Sequence, residues 1–221
     1  MSYLFQPDPL PSERQNKDKV HLRFTICVSG AAGGKTVAES AILAEKLGAE
    51  IARHGHILTT GATVGLPYYA AKGATSNNGM SIGFSPAGSL REHLRKYRLP
   101  FQYFDFINFT GMQYVGRDLY LVQSSDAVIT VGGRFGSLHE FISALEAGKP
   151  CGVLLGSGGA ADIIPDLIET LEPPRKSLIV FDTSPAKLIE KIEAVLEEEY
   201  QDIYKDYKNA NKFWYVEKPA G

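Results

Sequence analysis

The sequence predicts an α/β fold in which a mostly parallel sheet of about seven strands lies between two layers of helices, a doubly wound three-layer arrangement. Short apolar runs typical of buried strands alternate with longer segments whose apolar residues recur at helical spacing. Glycines follow several of these runs, where tight strand-to-helix turns need them. The length of 221 residues suits one such domain, and the sequence shows no internal repeat and no domain-scale linker.

The elements follow one another along residues 21–200, the predicted domain. Strands are predicted at 23–30, 56–61, 80–86, 105–110, 127–131, 151–155 and 177–182. Helices are predicted at 37–51, 64–74, 90–97, 113–124, 137–147 and 160–171, and after Ser184, which precedes Pro185 as the N-cap of a last helix. The polar, proline-spotted residues 1–20 predict a loose arm, and residues 201–221 an aromatic-rich tail.

The composition disfavours several function classes. Hydrophobic residues make up 44% and charged residues 22% of the chain, as in globular proteins. The net charge of −2 predicts no strongly basic face, so neither nucleic acid nor a membrane surface is expected as a partner. No window reaches the ~18 apolar residues of a membrane span, and the N-terminal segment lacks the apolar region of a signal peptide. We therefore expect a cytoplasmic protein.

The cysteines and histidines predict neither a disulfide nor a metal site. Cys27 and Cys151 lie in or beside apolar, strand-like runs, so buried free thiols are expected. The five histidines show no paired metal-ligand spacing with cysteine. We predict no metal and no resident cofactor.

The glycines after three of the predicted strands indicate a binding edge. A doubly wound sheet binds ligands at the carboxyl ends of its strands, near the point where the strand order reverses. The candidate binding residues on this edge are Ser29, Gly30 and Gly33 after the first strand, Gly61 and Gly65 after the second, and Gly132, Gly133, Arg134, Gly136 and Ser137 after the fifth. Thr59 and Thr60 stand where an NAD enzyme places an acidic residue, which disfavours a dinucleotide.

The first glycine-rich turn, VSGAAGGKT, is close to a P-loop but has the wrong spacing. The pattern G-x-x-x-x-G-K-[ST] needs a glycine five residues before Gly34, where Ser29 stands. The favoured interpretation is a turn that contacts a ligand through backbone groups. A plain connecting turn and a P-loop phosphotransferase built on Lys35 and Thr36 are the alternatives.

The turn GGRFGSLHE at 132–140 gives the strongest signal. A strand, a glycine-rich turn and a helix N-terminus in that order direct free amides and the positive end of the helix dipole at one point, where a phosphate binds. Ser137 and Glu140 also fit the capping box S-x-x-E, so Glu140 either caps the helix or takes part in chemistry. Arg134 either clamps a phosphate or faces solvent. His139 is expected on the exposed face of the helix.

Arg117 lies in the first half of the predicted helix 113–124, where the helix dipole disfavours a cation. Val115, Leu119 and Val122 are predicted to mark the buried face of this helix, and Arg117 lies off that face. The pattern alone therefore predicts an ordinary solvent-facing arginine.

Taken together, these residues resemble the LOG family, often labelled lysine decarboxylase-like, of Rossmann-like nucleotide-binding proteins. The family pattern has a glycine-rich turn after the first strand, a Gly-Leu turn after the second, a helix with an arginine, and then P-G-G-x-G-T-x-x-E. The stretches Gly30–Gly33 and Gly61–Leu66, Arg117 and the sequence GGRFGSLHE stand in those places, and the resemblance runs from about residue 23 to 171.

Three positions depart from the family pattern. Val131 replaces the proline of the motif, and one extra residue separates Gly133 from Gly136. Asp118 follows the arginine where the activated hydrolases tend to have lysine. These departures bear mainly on which substrate is used and, to a lesser degree, on whether the activity is retained.

The resemblance implies a phosphoribohydrolase that cleaves the N-glycosidic bond of a nucleoside 5′-monophosphate, with Arg117 and Glu140 as the catalytic pair and the glycine loop around the 5′-phosphate. A carboxylate suits the oxocarbenium-like charge that develops on the ribose. Other members of the superfamily resemble the molybdenum cofactor carrier, so a nucleotide or cofactor binder without turnover is the alternative. The resemblance to the family and the aromatic tail predict a homodimer or a higher homo-oligomer.

Overall fold

The computed structural model describes residues 23–203, so the predicted arm at 1–20 and all of the predicted tail at 201–221 except residues 201–203 lie outside them. Its strands are β1 Thr25–Gly30, β2 Ile57–Thr60, β3 Met80–Ser85, β4 Phe106–Phe109, β5 Ala127–Val131, β6 Cys151–Leu154 and β7 Ile179–Asp182. Its α-helices are α1 Lys35–Arg53, α2 Leu66–Ser76, α3 Leu90–Arg95, α4 Gln113–Gln123, α5 Phe135–Glu146, α6 Ala160–Leu171 and α7 Pro185–Glu199, and a 3₁₀ turn, Lys176–Leu178, precedes β7.

The strands form one sheet in the order β4-β3-β2-β1-β5-β6-β7, and every neighbouring pair is parallel. The predicted three-layer, doubly wound α/β fold is confirmed. The chain runs outward from β1 to β4, crosses back to place β5 beside β1, and then runs outward on the other side. The strand order thus reverses between β1 and β5, which opens a crevice above their carboxyl ends.

Each face of the sheet covers its own apolar core, because successive strand residues point to opposite sides. On β1, Ile26 and Val28 face the core that α1, α2 and α7 cover. Cys27, between them, faces the core beneath α4, α5 and α6. Cys27 and Cys151 are both buried and free, as predicted. No helix among residues 23–203 is long and apolar enough to cross a bilayer.

The start of α5 differs from the prediction in a way that changes the site. The helix begins at Phe135, and Arg134 occupies the N-cap position without a capping hydrogen bond from its side chain. Ser137 and Glu140 therefore lie inside the helix, and the predicted capping box is wrong. At α7, Ser184 does occupy the predicted N-cap position, but its side chain makes no capping hydrogen bond.

The exposed face of α4 was also predicted wrongly. Val115 is 70% exposed and Leu119 is exposed too, whereas Arg117 and Asp118 are buried together with Leu121 and Val122. Residues at i, i+1, i+4 and i+5 share a helix face, so the two charged side chains continue the buried apolar stripe. The helix can bury them because each has a polar partner: Arg117 contacts the carbonyl of Phe84 on β3, and Asp118 contacts His139 on α5.

The glycine pair after β5 forms the turn into α5, and hydrogen bonds hold this turn against the start of α6. Gly132 and Gly133 have φ values of 55° and 97°, in the left-handed region that only glycine adopts at little cost. The amide of Gly132 donates to Ser157 Oγ at 2.7 Å. The amides of Ala160 and Ala161 donate to the carbonyls of Gly133 and Gly132 at 3.0 and 2.9 Å. These bonds fix the loop that presents the first turn of α5.

Candidate functional site

A cleft of about 220 Å³ opens at the carboxyl ends of β1 and β2, beside the point where the strand order reverses. Four segments far apart in the sequence converge on it. Its lining comprises Val28, Gly30, Ala31 and Ala32 from β1 and its turn, Gly61, Thr63 and Pro67 from the turn after β2 and the start of α2, Tyr114, Arg117 and Asp118 from α4, and Arg134, Gly136, Ser137 and Glu140 from the start of α5.

The cleft brings together much of the predicted site. Gly30, Gly61, Arg117, Arg134, Gly136, Ser137 and Glu140 line it. Ser29 lies buried behind Glu140 and contacts it. Gly33, Gly65, Gly132 and Gly133 do not line the cleft: Gly65 approaches the backbone of Ala31 and Ala32, and the amide of Gly132 is taken by Ser157. Sequence reasoning missed Tyr114 and Thr63, for which the sequence carries no recognisable signal.

In a P-loop the lysine lies at the ligand, whereas in the structure Lys35 lies outside the cleft. Lys35 is 87% exposed and lies 3.4 Å from Glu39, its partner one turn along α1. It does not line the cleft. The geometry therefore favours backbone contacts over a phosphate-binding lysine in this turn.

Glu140 is the carboxyl group at the floor of the cleft. Its side chain is buried, and Ser29 Oγ donates a hydrogen bond to Oε2. Removal of the carboxyl from water raises the pKa of Glu140 to about 7, and the nearby Asp118 adds to the rise. The charge of Arg117 and the Ser29 hydrogen bond act in the opposite direction. Glu140 is thus present in both protonation states near neutral pH.

Arg117 is buried and faces the cleft, so the prediction that it faces solvent is wrong. Its Nη1 donates to the carbonyl of Phe84 at 3.1 Å. Its Nε lies 3.1 Å from Asp118 Oδ1, close enough for an ion pair, but the angle does not make a hydrogen bond. Nε has no hydrogen-bond partner among the described residues. Arg117 lines the cleft, where its positive charge is suited to an anion.

Gly61 makes room for the guanidinium. A Cβ at this position would lie 1.9 Å from Nη1 of Arg117, far inside contact distance. The glycine after β2 thus serves the site by allowing the side chain of α4 to reach the carboxyl edge of the sheet. The predicted motif therefore needs a glycine at position 61 because Arg117 occupies the space of a side chain there.

Asp118 links the cleft to the surface of α5. Its Oδ2 lies 3.2 Å from Nδ1 of His139, whose side chain is 42% exposed. His139 was expected on the exposed face of its helix, and the structure shows a half-exposed side chain with one polar partner. Among residues 23–203, no group of three or more His, Cys, Asp and Glu side chains is arranged to hold a metal ion.

The first turn of α5, which the sequence predicted to bind an anion, lies at the cleft. The amides at the start of a helix have no carbonyl partner within the helix, and the dipole there is positive. Gly136 and Ser137, both in this turn, line the cleft, and Arg134 stands at its rim. A wider, apolar groove of about 550 Å³ adjoins the cleft at Arg134 and Gly136.

Comparison with known proteins gives the family. A model of the SLOG cluster4 family matches residues 23–189, which include the whole sheet and the cleft. The chain belongs to the SLOG cluster4 family. This match supports the Rossmann-like superfamily that the sequence indicated, and the narrower LOG assignment stays a prediction.

Three proteins are similar to this SLOG cluster4 protein. An uncharacterised protein of Archaeoglobus fulgidus is 36% identical over 124 residues, 56% of this chain and 75% of that protein. The solved structure of the molybdenum cofactor binding protein from Rippkaea orientalis is 28% identical, with a TM-score of 0.65 over 79% of this chain and 98% of the other. The molybdenum cofactor carrier protein of Chlamydomonas reinhardtii is 27% identical, with a TM-score of 0.64 over 79% and 99%.

Burial of Glu140 predicts a pH-dependent stability that Glu140→Gln removes. Below its usual pKa of 4.5 the carboxyl is protonated in both folded and unfolded chains, so its contribution is fully present. As the pH rises through about 7, the unfolded chain ionises more readily and this contribution, on the order of 3 kcal/mol, is lost. Urea unfolding at pH 5 and pH 8 measures the difference. Glu92→Gln, at an exposed ion pair, is the control, and an equal decline in wild type and Glu140→Gln would contradict the assignment.

Gly61→Ala is predicted to displace the guanidinium of Arg117 without changing any charged residue. The Cβ takes the space of Nη1, so the bond to Phe84 O breaks and a buried donor and acceptor lose their partners. We expect the free energy of unfolding to fall by about 1–3 kcal/mol. Gly88→Ala, whose Cβ would make only ordinary contacts, is the matched control. Equal stability of the two variants would contradict the packing described.

Proposed function

We propose that this SLOG cluster4 protein binds the phosphate of a nucleoside 5′-monophosphate in the cleft and hydrolyses its N-glycosidic bond. The observation that carries the proposal is the convergence of Arg117 and Glu140 with the first turn of α5. Arg117 lies on α4, whereas Glu140 and the first turn lie on α5, so two separate helices contribute to the cleft. The proposal also takes the resemblance to the LOG family as a guide to the reaction.

Each part of the cleft has a role in this reaction. The amides at the start of α5 bind the phosphate, with Arg134 at the rim. Arg117 holds the ribose phosphate or the departing base by its guanidinium. In the chemical step the oxygen of a water molecule bonds to C1′, the C1′–N bond breaks, and its electron pair stays on the base nitrogen, which takes up a proton. Glu140, with a pKa of about 7, can give that proton or accept one from water.

A second candidate is a binding or carrier protein without turnover. Two observations favour it: the extra residue in the loop between Gly133 and Gly136, and the molybdenum cofactor proteins among the similar structures. The apolar groove beside the cleft suits the ring system of a base or a pterin whose phosphate lies at α5. Both candidate functions bind the ligand at the same anion site. They differ in whether the bound ligand is hydrolysed.

Incubation of the pure protein with AMP, GMP, CMP and IMP, without metal, tests the first candidate. We expect free base by chromatography, and a loss of about 10²-fold or more in kcat for Glu140→Gln and for Arg117→Gln, because each removes an interaction with the charged transition state. Glu92→Gln, remote from the cleft, is the control. No base from any of the four with folded wild-type protein contradicts hydrolysis of these substrates.

Ligand-induced stabilisation tests the carrier alternative in the same samples. A ligand at a hundredfold excess over its Kd stabilises the folded protein by about 2.7 kcal/mol. A higher Tm with a nucleotide or a pterin that is recovered intact favours a carrier. An unchanged Tm with every nucleotide and pterin tried removes both candidates at once.

We also propose that the chain self-associates through the exposed apolar face of α4 and α5. Val115, Leu119, Phe135 and Ile142 are exposed on these two helices, which pack against each other. The predicted aromatic tail lies outside the described residues. Light scattering is expected to show a dimer or larger assembly that Val115→Glu dissociates. Ile42→Glu on α1, at a residue that is also 70% exposed, is the matched control. A monomeric wild type contradicts this proposal.

A further inference from the structure

Among the described residues that line the cleft, Tyr114 alone carries an aromatic ring, and the reaction proposed above assigns it no role. It stands one turn before Arg117 on α4, so the two side chains lie on the same face of the helix. Because α4 begins just after the carboxyl end of β4, Tyr114 lies nearer the mouth of the cleft than Arg117. The residue is 46% exposed, so its ring is accessible to a ligand.

A contact with Tyr97 restricts the ring of Tyr114. The two ring centroids are 5.6 Å apart with an interplanar angle of 82°, an edge-to-face arrangement. Such a contact occupies at most one face of each ring, so Tyr97 leaves at least one face of Tyr114 uncovered. Tyr97 is itself held: its amide donates to the carbonyl of Glu92 at 3.0 Å, and Nζ of Lys96 lies 5.2 Å from its ring centroid.

The backbone just before Tyr114 is tied to the turn after β3. The amide of Gly111 donates to the carbonyl of Ala87 at 3.0 Å, and the amide of Gln113 donates to the carbonyl of Pro86 at 3.1 Å. A side chain that is already held in place loses little conformational freedom when a ligand packs against it. The ring of Tyr114 is therefore a preorganised flat surface in the cleft.

The order of groups in a nucleoside 5′-monophosphate determines the side on which its base lies. The phosphate and the base are at opposite ends of the molecule, and the N-glycosidic bond joins the base to the ribose. In the proposed reaction the phosphate lies at the amides of Gly136 and Ser137, and the bond lies beside Glu140, one turn further along α5. The base then extends away from α5 and toward α4, where Tyr114 lines the cleft.

The apolar groove does not suit the base in this arrangement. Its lining comes from the starts of α5 and α6, and includes Leu138 and Ile163, so it lies on the other side of the first turn of α5 from the cleft. A base in the groove would take the N-glycosidic bond with it, away from Glu140 and Arg117. The groove thus belongs to the carrier alternative, whereas Tyr114 belongs to the hydrolase.

We propose that the ring of Tyr114 stacks on the base of the nucleotide and makes the cleft favour purine over pyrimidine nucleotides. This inference rests on the proposed function, because it takes the ligand to be a nucleoside 5′-monophosphate in the cleft. Stacking of a base on an aromatic side chain changes affinity by about 5- to 150-fold. A purine has a larger flat face than a pyrimidine and gains more from the contact. Tyr114 thus determines specificity and takes no part in bond cleavage.

Calorimetric titration with AMP, CMP and ribose 5-phosphate tests the stacking, with Glu140→Gln as the background so that the nucleotides stay intact. We expect Tyr114→Ala to raise the Kd of AMP by about 5- to 150-fold and that of CMP by less. The Kd of ribose 5-phosphate should not change, because this compound has no base, and its retained binding shows that the variant is folded. Tyr114→Phe should keep the affinity for AMP, since it keeps the ring. Tyr114→Leu fills the space beside Tyr97 without a flat face, and it should lose affinity for AMP as Tyr114→Ala does.

Tyr120→Ala and Ile163→Ala are the matched controls. Tyr120 is a tyrosine on the same helix, 50% exposed and outside the lining of the cleft, and Ile163 belongs to the apolar groove. Neither change should alter the Kd of AMP. An unchanged Kd of AMP in both Tyr114→Ala and Tyr114→Leu, an equal loss for ribose 5-phosphate, or a loss in Ile163→Ala alone overturns the role of Tyr114 and leaves the phosphate site intact. Failure of the background protein and of wild type to bind any of the three compounds overturns the proposed function and this inference together.

Discussion

The structure of the cleft depends on the interaction of one buried cation, Arg117, with two buried carboxyl groups, Asp118 and Glu140. Removal of these groups from water is costly, and the cost is offset only while their charges and hydrogen bonds match. Arg117 Nη1 donates to the carbonyl of Phe84, and the side chain lines the cleft, so its charge is available to an anionic ligand. Loss of one charge from such a group destabilises it by about 3–5 kcal/mol.

The fold makes this interaction possible because it brings four distant segments to one edge. The reversal of strand order between β1 and β5 separates the turns above them and leaves a crevice. Gly61 then lets Arg117 reach across from α4, and the glycine pair after β5, held by Ser157, directs the first turn of α5 at the same crevice. The course of the backbone thus determines where the site lies, and the side chains supply its functional groups.

The sequence predicted the sheet and half of the lining because both depend on local signals. Apolar periodicity fixes strands and helices, and the glycines mark the turns at the carboxyl edge. The face of α4 could not be predicted in the same way: its apolar residues Val115 and Leu119 suggested one face, but the polar partners of Arg117 and Asp118 lie on β3 and α5. The capping box at Ser137 failed for a related reason, since Glu140 bonds across the fold to Ser29.

A crystal structure of the protein with a nucleoside monophosphate tests the account most directly. The account predicts the phosphate at the amides of Gly136 and Ser137, with Arg117 in contact with the ligand and Glu140 beside it. A nucleotide bound elsewhere on the molecule, with the crevice between β1 and β5 filled by side chains, would contradict it.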